Sequence, residues 1–433
     1  MEKYFHSITL DREKCKGCIN CIKRCPTEAI RVRNGKAEII NERCIDCGEC
    51  LRVCPYHAKK AASDPFSILD DYKYKIALPA PTLYGQFKKI QSVDAVLSAL
   101  IEIGFDDVFE VAKAADYITE ATKILITEGN LETPVISGAC PAIVRLIKVR
   151  FPNLIENILP LLSPMDLAAK LARREAIKKG YKDEEIGVFF LSPCAAKVTS
   201  ARSPLGVSDT GINGVISISE IYIKILPLVG KTDLKNISST ATIKGINWAN
   251  RGGEGSALSI DNTVSVDGIN NVIKVLEQVE DDKLSDITFI EALSCTGGCV
   301  GGPLVAENAF VGENKIKNLI KMHMPSESVI EINMEDAEFT KRIKYEPVLK
   351  LDNDIVKAMQ KMELLEKISK ELPGLDCGAC GAPSCKALAE DIVRDCAEED
   401  DCIFKHRERL SELVAEVMEL QAHIPPPFRK SEE

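Results

Sequence analysis

The sequence predicts an α/β protein with three parts. A cysteine-rich module lies at the amino end, a central domain carries a largely parallel sheet, and a small helical cysteine module lies near the carboxyl end. Three observations predict this. The 17 cysteines are grouped: eight in residues 15–54, four between 140 and 299, and five between 377 and 402. Between the outer groups, short apolar runs alternate with stretches of helical spacing, as strands joined by helical crossovers do. The 433-residue length exceeds one ordinary domain. The expected boundaries are 1–62, 63–352 and 353–405, with a helix and tail over 406–433.

The elements follow in order. "YKIALPAP" (74–81) reads as a strand ending in turn residues, and "FKKIQSVDAVLSALIEIGF" (87–105) has helical spacing through Ile90, Val93, Val96, Leu97, Leu100 and Ile101. "KILIT", "PVIS", "IGVFFLS" and "ITFIEAL" are short buried-strand candidates. "DIVKAMQKMELLEKISKEL" (354–372) reads as a connecting helix. Residues 403–422 form an amphipathic helix, packed on its own domain or used for binding a partner or for self-association, and the proline-containing 424–433 is a polar, disordered tail.

Composition narrows the function. The formal net charge of −10 gives no electrostatic case for nucleic acid or an anionic membrane. The start, "MEKYFHSITL", lacks a basic segment followed by an apolar one, and no apolar run spans a bilayer; a cytoplasmic location is expected. Without a secretion signal, this many cysteines point to metal rather than disulfides. The histidines at 6, 57, 323, 406 and 423 do not repeat at ligand spacing, so thiolate ligation of iron–sulfur or zinc is favoured.

Residues 15–26 ("CKGCINCIKRCP") and 44–55 ("CIDCGECLRVCP") are two copies of C-x2-C-x2-C-x3-C-P. This is the bacterial ferredoxin run, in which the fourth cysteine serves the other cluster. One 4Fe-4S cluster takes Cys15, Cys18, Cys21 and Cys54; the second takes Cys44, Cys47, Cys50 and Cys25. The module resembles two-cluster ferredoxins, whose work is electron transfer.

In the central domain, "PVISGAC", "IGVFFLSPC" and "ITFIEALSC" each deliver a cysteine at the end of a strand candidate: Cys140, Cys194 and Cys295, with Cys299 following in "TGGC". Ligands bind outside the carboxyl ends of parallel strands, so these four can converge on one site. Gly297 and Gly298 let backbone approach a bulky cluster. The alternative for any one alone is a small buried hydrophobe. "RGGEGSAL" (251–258) lacks the context of a phosphate loop.

The segments "SGACPAIV", "LSPCAAK" and "EALSCTGGCVGGP" resemble, in order, the three signatures of the iron–iron (FeFe) hydrogenases. The resemblance runs from about residue 72 to about 310, with "GFDDVFEVAKAAD" and "RGGEGSAL" also similar. It implies that Cys140, Cys194, Cys295 and Cys299 hold a 4Fe-4S cube at the strand ends. Cys299 also bridges to a two-iron subcluster carrying carbonyl, cyanide and a dithiolate bridge, the whole being the H-cluster. Lys197 matches the lysine that donates to cyanide, and Ala80 and Pro81 match a segment lining the subcluster. The sequence departs from the catalytic members around the two-iron unit. Ala139 stands where they place a proton-relaying cysteine, Ser192 and Leu293 stand where they place methionines, and the tail after the last ligand is shortened to "GGPLV". Ser192 would offer the subcluster a new hydrogen bond. These departures are typical of the branch described as sensory.

"LDCGACGAPSC" and the cysteines beyond it resemble a small 4Fe-4S domain with ligands Cys377, Cys380, Cys385 and Cys402, leaving Cys396 spare or competing as fourth ligand; zinc suits four thiolates too. Filled throughout, the chain would hold about 18 irons. The resemblance implies a hydrogen-sensing hydrogenase of slow, reversible turnover on H2 and protons, with a redox or signalling partner and a possible homodimer. A catalytic or bifurcating subunit, or an iron–sulfur scaffold lacking the diiron unit, are the alternatives; Lys197 argues against the scaffold.

Overall fold

The computed structural model describes residues 5–88, 90, 92–231, 237–322 and 332–422. The tail expected over 424–433, and His323 and His423, lie outside the described residues.

Two parallel sheets form the centre. In the first, Tyr74–Pro79 lies between Asp107–Val108 and Ile186–Ser192, and Gly214–Ser217 pairs on the far side of the last. The register runs Tyr74 opposite Ile186 to Pro79 opposite Leu191. In the second, Phe289–Leu293 lies between Thr263–Asp267 and Val135–Ile136. Every residue of Ile186–Ser192 and of Phe289–Leu293 is buried. Strands covered on both faces read as continuous apolar runs rather than alternating ones, which is why "IGVFFLS" is legible as a strand. One core gathers around the first sheet, with Phe189, Phe190, Leu83 and Tyr84; a second, with Ile143, Ile147, Val272 and Ile290, gathers around the other.

One strand candidate is corrected. "KILIT" (123–127) lies in the last turns of the helix Val111–Glu128, which ends at Gly129 with φ 72°. A five-residue apolar run cannot be told from helix by pattern alone. Here Val111, Ala114, Ala115, Ile118 and Ala121, all buried on the preceding turns, carry the helical period into it.

The chain packs as two compact units, each discontinuous in sequence. One unit is Met1–Asp11 with Asn41–Pro347; the other is Arg12–Ile40 with Val348–Glu433. The second unit shows why. Arg31 makes a two-bond fork to Asp391 (Nε to Oδ2, 2.6 Å; Nη2 to Oδ1, 2.9 Å), and Arg33 adds a third bond at 2.7 Å. Arg31 and Asp391 are both buried, and planar guanidinium–carboxylate forks are among the stronger polar contacts. The hairpin Ile30–Arg33 with Lys36–Ile39 is thereby fastened to the helix Cys385–Val393, and Leu365 and Ile368 of Ile355–Glu371 pack against Leu388. The helix Ile403–Ala422 has no buried residue; Leu410, Leu413 and Val417 are about half exposed, and Arg409 pairs with Asp400 of the turn before it at 2.8 Å. Among the described residues no helix is long and apolar enough to cross a membrane.

Candidate metal centre and its cavity

The carboxyl ends of both sheets lead to one place. Ala80 and Pro81 follow directly on Tyr74–Pro79. Cys194 follows Ile186–Ser192 and sits at the cap position of the helix Ala195–Arg202, whose first turn carries Lys197. Cys140 caps Pro141–Arg150, with Pro141 at its first position, where the missing N–H costs nothing. Cys295 follows Phe289–Leu293, and Cys299 opens a short 3-10 turn. Two glycines allow this turn. Gly298 has φ 90° and a Cβ there would stand 2.8 Å from the Arg251 nitrogen; one on Gly302 would stand 2.2 Å from the Pro193 oxygen.

The four thiols act on one another. Burial pushes Cys194 up to about 12 and Cys295 up to about 11; Cys295, Cys299 and Cys140 add to the first, and Cys140 and Cys299 to the second. Burial also raises Cys299, which Lys197 opposes. The Lys197 Nζ is 3.7 Å from the Cys299 sulfur. Burial alone would lower this ammonium, but Cys299, Cys194, Cys140 and Cys295 together raise it. An enclosed cation whose neighbours are thiols calls for thiolates, and thiolates without solvent call for metal. An all-sulfur donor set suits an iron–sulfur cube.

Beside these sulfurs lies a cavity of about 50 Å³, lined by Ala80, Pro81, Ala139, Lys197, Leu293 and Cys299 among others. Several times the space one water needs, it brings five residues expected to surround the subcluster together with Cys299. Ser192 is corrected: it is buried, its hydroxyl donates to the Cys194 oxygen at 2.9 Å and accepts from the Cys194 N–H at 3.2 Å. Its proton is spent on the ligand loop rather than offered to the cavity.

The cavity has a second wall that sequence reading did not single out. Glu254 and Glu291 both line it and both are buried. Burial, and then the neighbouring Glu291, raise Glu254 to about 8. Ser137 donates to Glu254 Oε2 at 2.6 Å and accepts from the Ala139 N–H at 3.2 Å. Glu291 is raised by burial as well, although it accepts from Gly252 N (3.1 Å), Gly255 N (3.0 Å) and Ser265 Oγ (2.9 Å). Ser265 is exposed. The legible signal was a carboxylate inside the apolar strand "FIEAL". Arg52 was also missed. It hydrogen-bonds Cys295 and donates to the Gly301 oxygen at 3.0 Å, linking the loop of Cys44, Cys47 and Cys50 to the four-thiol site.

The remaining cysteines fall as follows. Cys25 accepts from Ala29 N at 3.2 Å, and Cys54 from Ala58 N at 3.3 Å, the same contact in both halves of the repeat. In the carboxyl module, burial and then Cys377 and Cys402 act on Cys380, and Cys380, Cys385 and Cys402 share one apolar cluster. Cys396 is exposed, its thiol donating to the Arg394 oxygen at 3.4 Å.

The profile of the family described as "Iron only hydrogenase large subunit, C-terminal domain" matches residues 73–226 and 229–303. The chain belongs to this iron-only hydrogenase family. Two further iron–sulfur profiles flank it: a 4Fe-4S dicluster domain over 7–55 and an Fe-S cluster domain over 372–404. The chain is 23% identical to iron hydrogenase 1 of Clostridium pasteurianum over 369 residues, covering 68% of this chain and 64% of that protein. It is 22% identical to the NADP-reducing hydrogenase subunit HndD of Solidesulfovibrio fructosivorans over 344 residues, covering 66% and 55%. It thus spans less than two-thirds of the length of either. Among solved structures, a variant of the [FeFe]-hydrogenase HydA1 of Chlamydomonas reinhardtii superposes with TM-score 0.46 at 16% identity, over 63% of this chain and 89% of that one.

Proposed function

We propose that this iron-only hydrogenase family member interconverts hydrogen with protons and electrons at a low rate, and that the redox state it reaches is the output, as in a sensor. One observation carries the reading. The cavity that adjoins four converging thiols holds a buried ammonium, Lys197, and a buried carboxyl, Glu254, but no thiol at position 139. Cys140, Cys194, Cys295 and Cys299 would hold the cube, Cys299 would bridge, and Lys197 would donate to a cyanide. When bound, the two-iron group supplies the site at which hydrogen is split or formed.

The chain's own residues handle the proton. Ala139 has only a methyl group and cannot carry one. Glu254, raised to about 8, holds a proton at neutral pH on the cavity wall. Glu291 accepts from the exposed Ser265 hydroxyl, so the acid pair leads from the cavity toward solvent. A carboxyl that is protonated near working pH can act as general acid and, once ionised, as base. The ferredoxin module and the carboxyl module would hold three accessory 4Fe-4S clusters, with Cys15, Cys18, Cys21 and Cys54 for one, Cys44, Cys47, Cys50 and Cys25 for the next, and Cys377, Cys380, Cys385 and Cys402 for the third. Arg52, touching Cys295, supports electron passage from the Cys44–Cys50 loop.

Infrared spectroscopy on the protein matured with its diiron group tests the reading. Carbonyl and cyanide bands are expected, and Lys197→Met should move the cyanide bands. A matured protein with four cubes and no such bands would instead support the scaffold alternative.

A further inference from the structure

The helix Ile403–Ala422 has 20 residues and none of them is buried. A helix in a protein draws most of its stability from packing an amphipathic face. This one has such a face, and it is uncovered. Ile403, Leu410 and Val417 recur at every seventh residue, and Leu413 and Leu420 follow three residues after the last two. These five take the two seam positions of a coiled coil, with His406 at the sixth. The five are between 48% and 67% exposed. Val414 and Met418, beside the seam, are exposed too.

The charges on the helix are divided along its length. The first part carries the bases Lys405, Arg407 and Arg409 and one acid, Glu408. The second part carries the acids Glu412, Glu416 and Glu419 and no lysine or arginine. Glu419 lies in the last turn, which has no base, although the helix dipole favours bases there. The ion pairs of the helix are Lys405 with Glu408 at 3.3 Å and Arg409 with Asp400 at 2.8 Å. Arg407, Glu412, Glu416 and Glu419 stand outside them. The helix Ile355–Glu371 of the same unit also exposes apolar side chains, Ile355, Met359 and Met362. Its acids and bases are interspersed, so it has no such polarity.

We propose that the helix Ile403–Ala422 is the interface for a second copy of this chain, paired antiparallel about a two-fold axis near Ser411 and Glu412. In that register Leu410 of one copy lies against Leu413 of the other, Val417 against His406, and Leu420 against Ile403. The contact is self-complementary, as a two-fold interface must be. Each basic first part lies beside the acidic second part of the other copy. Arg409 and Glu416 flank the same side of the seam, so each meets the other's counterpart across it. The exposed pair of Arg409 with Asp400 is of a kind worth little, and it can be exchanged. Parallel pairing would instead set base beside base and acid beside acid. It would also bring both Cys402 ends together, whereas antiparallel pairing separates them by the helix length, about 30 Å. Opposed helix dipoles favour the same choice.

The test involves no hydrogen chemistry. Sedimentation of the full chain with its clusters, over a range of concentrations, should show a reversible dimer of the 47.5 kDa chain. Leu410→Asp with Leu413→Asp should leave it monomeric with its iron content unchanged. Arg407→Glu with Arg409→Glu makes the helix acidic throughout and should raise the dissociation constant about tenfold. Adding Glu416→Lys and Glu419→Lys to that variant should restore the dimer. Ile355→Lys with Met359→Lys should leave it intact. A parent that stays monomeric at every concentration would overturn the proposal. So would a dimer indifferent to the charge reversal, as parallel pairing predicts, or one lost only with the Ile355 and Met359 pair.

Discussion

Glu254 gives the sharpest test of how protons reach the cavity. Its carboxyl stands at about 8 against an ordinary 4.5, from burial first and Glu291 second. Ionising it in place therefore costs about 5 kcal/mol more than in water, at 1.36 kcal/mol for each tenfold change. At pH 7 roughly 90% of the molecules keep the proton. Because the folded value lies above the unfolded one, the proton stabilises the fold. That contribution is full below about pH 4.5 and is lost as pH rises through about 8. Two measurements follow for Glu254→Gln. Infrared titration of the parent should show a protonated carboxyl band that disappears near pH 8, and the variant should lack it. The parent's unfolding rate should also climb between pH 5 and 8 while the variant's stays flatter. If the pair is the working proton route, the variant should lose about 10²–10⁴-fold in hydrogen turnover with its iron content unchanged. A parent without a carboxyl band titrating above pH 7, or a variant that keeps it, would refute the reasoning.

Three other outcomes are expected. Ala139→Cys puts a titratable group on the cavity wall beside Cys140 and should raise turnover, by less than the full 10²–10⁴-fold of a complete relay, while cluster spectra stay intact; unchanged turnover in a fully loaded variant would remove Ala139 as the bottleneck. Cys402→Ser should cost about four irons per chain and Cys396→Ser none, since Cys402 is buried near Cys380 and Cys396 is exposed; zinc in place of that iron would refute the cluster assignment. Asp391→Ala leaves Arg31 buried without its fork and should destabilise its unit by about 3–5 kcal/mol in chemical unfolding followed by cluster absorbance; a change under about 1 kcal/mol would show that the fork is not a buried pair of the usual strength.

Much of the centre was legible because the chemistry is local. Three of the strands lead to a cysteine within a few residues, and the turns that follow are marked by proline or glycine, as in "SPC" and "TGGC". Residues that act across the fold were harder. Arg52 reaches Cys295 only because the two segments pack together, and nothing adjacent in sequence announces it. Glu254 and Glu291 lie 37 positions apart and become a pair only at the cavity wall. Ser192 was placed correctly on its strand, but the direction of its hydroxyl depends on the Cys194 backbone. "KILIT" was misread because a helix and a buried strand share the same apolar run.

The clasp of Arg31 and Arg33 on Asp391 has a consequence for how the chain is made. The first half of the ferredoxin repeat belongs to a compact unit whose other half begins at Val348. On a ribosome moving at 5–20 residues per second, the interval from Ile40 to Asp391 is roughly 20–70 s. For that time the amino-terminal cysteines have emerged, but the helix that receives Arg31 has not been synthesised. Iron–sulfur insertion at the front of the protein thus has a structural reason to wait for its back. A chain cut short before residue 391 would leave the first cysteine loop without the partner that shapes it, so a truncated product would be marked as incomplete at its beginning as well as its end.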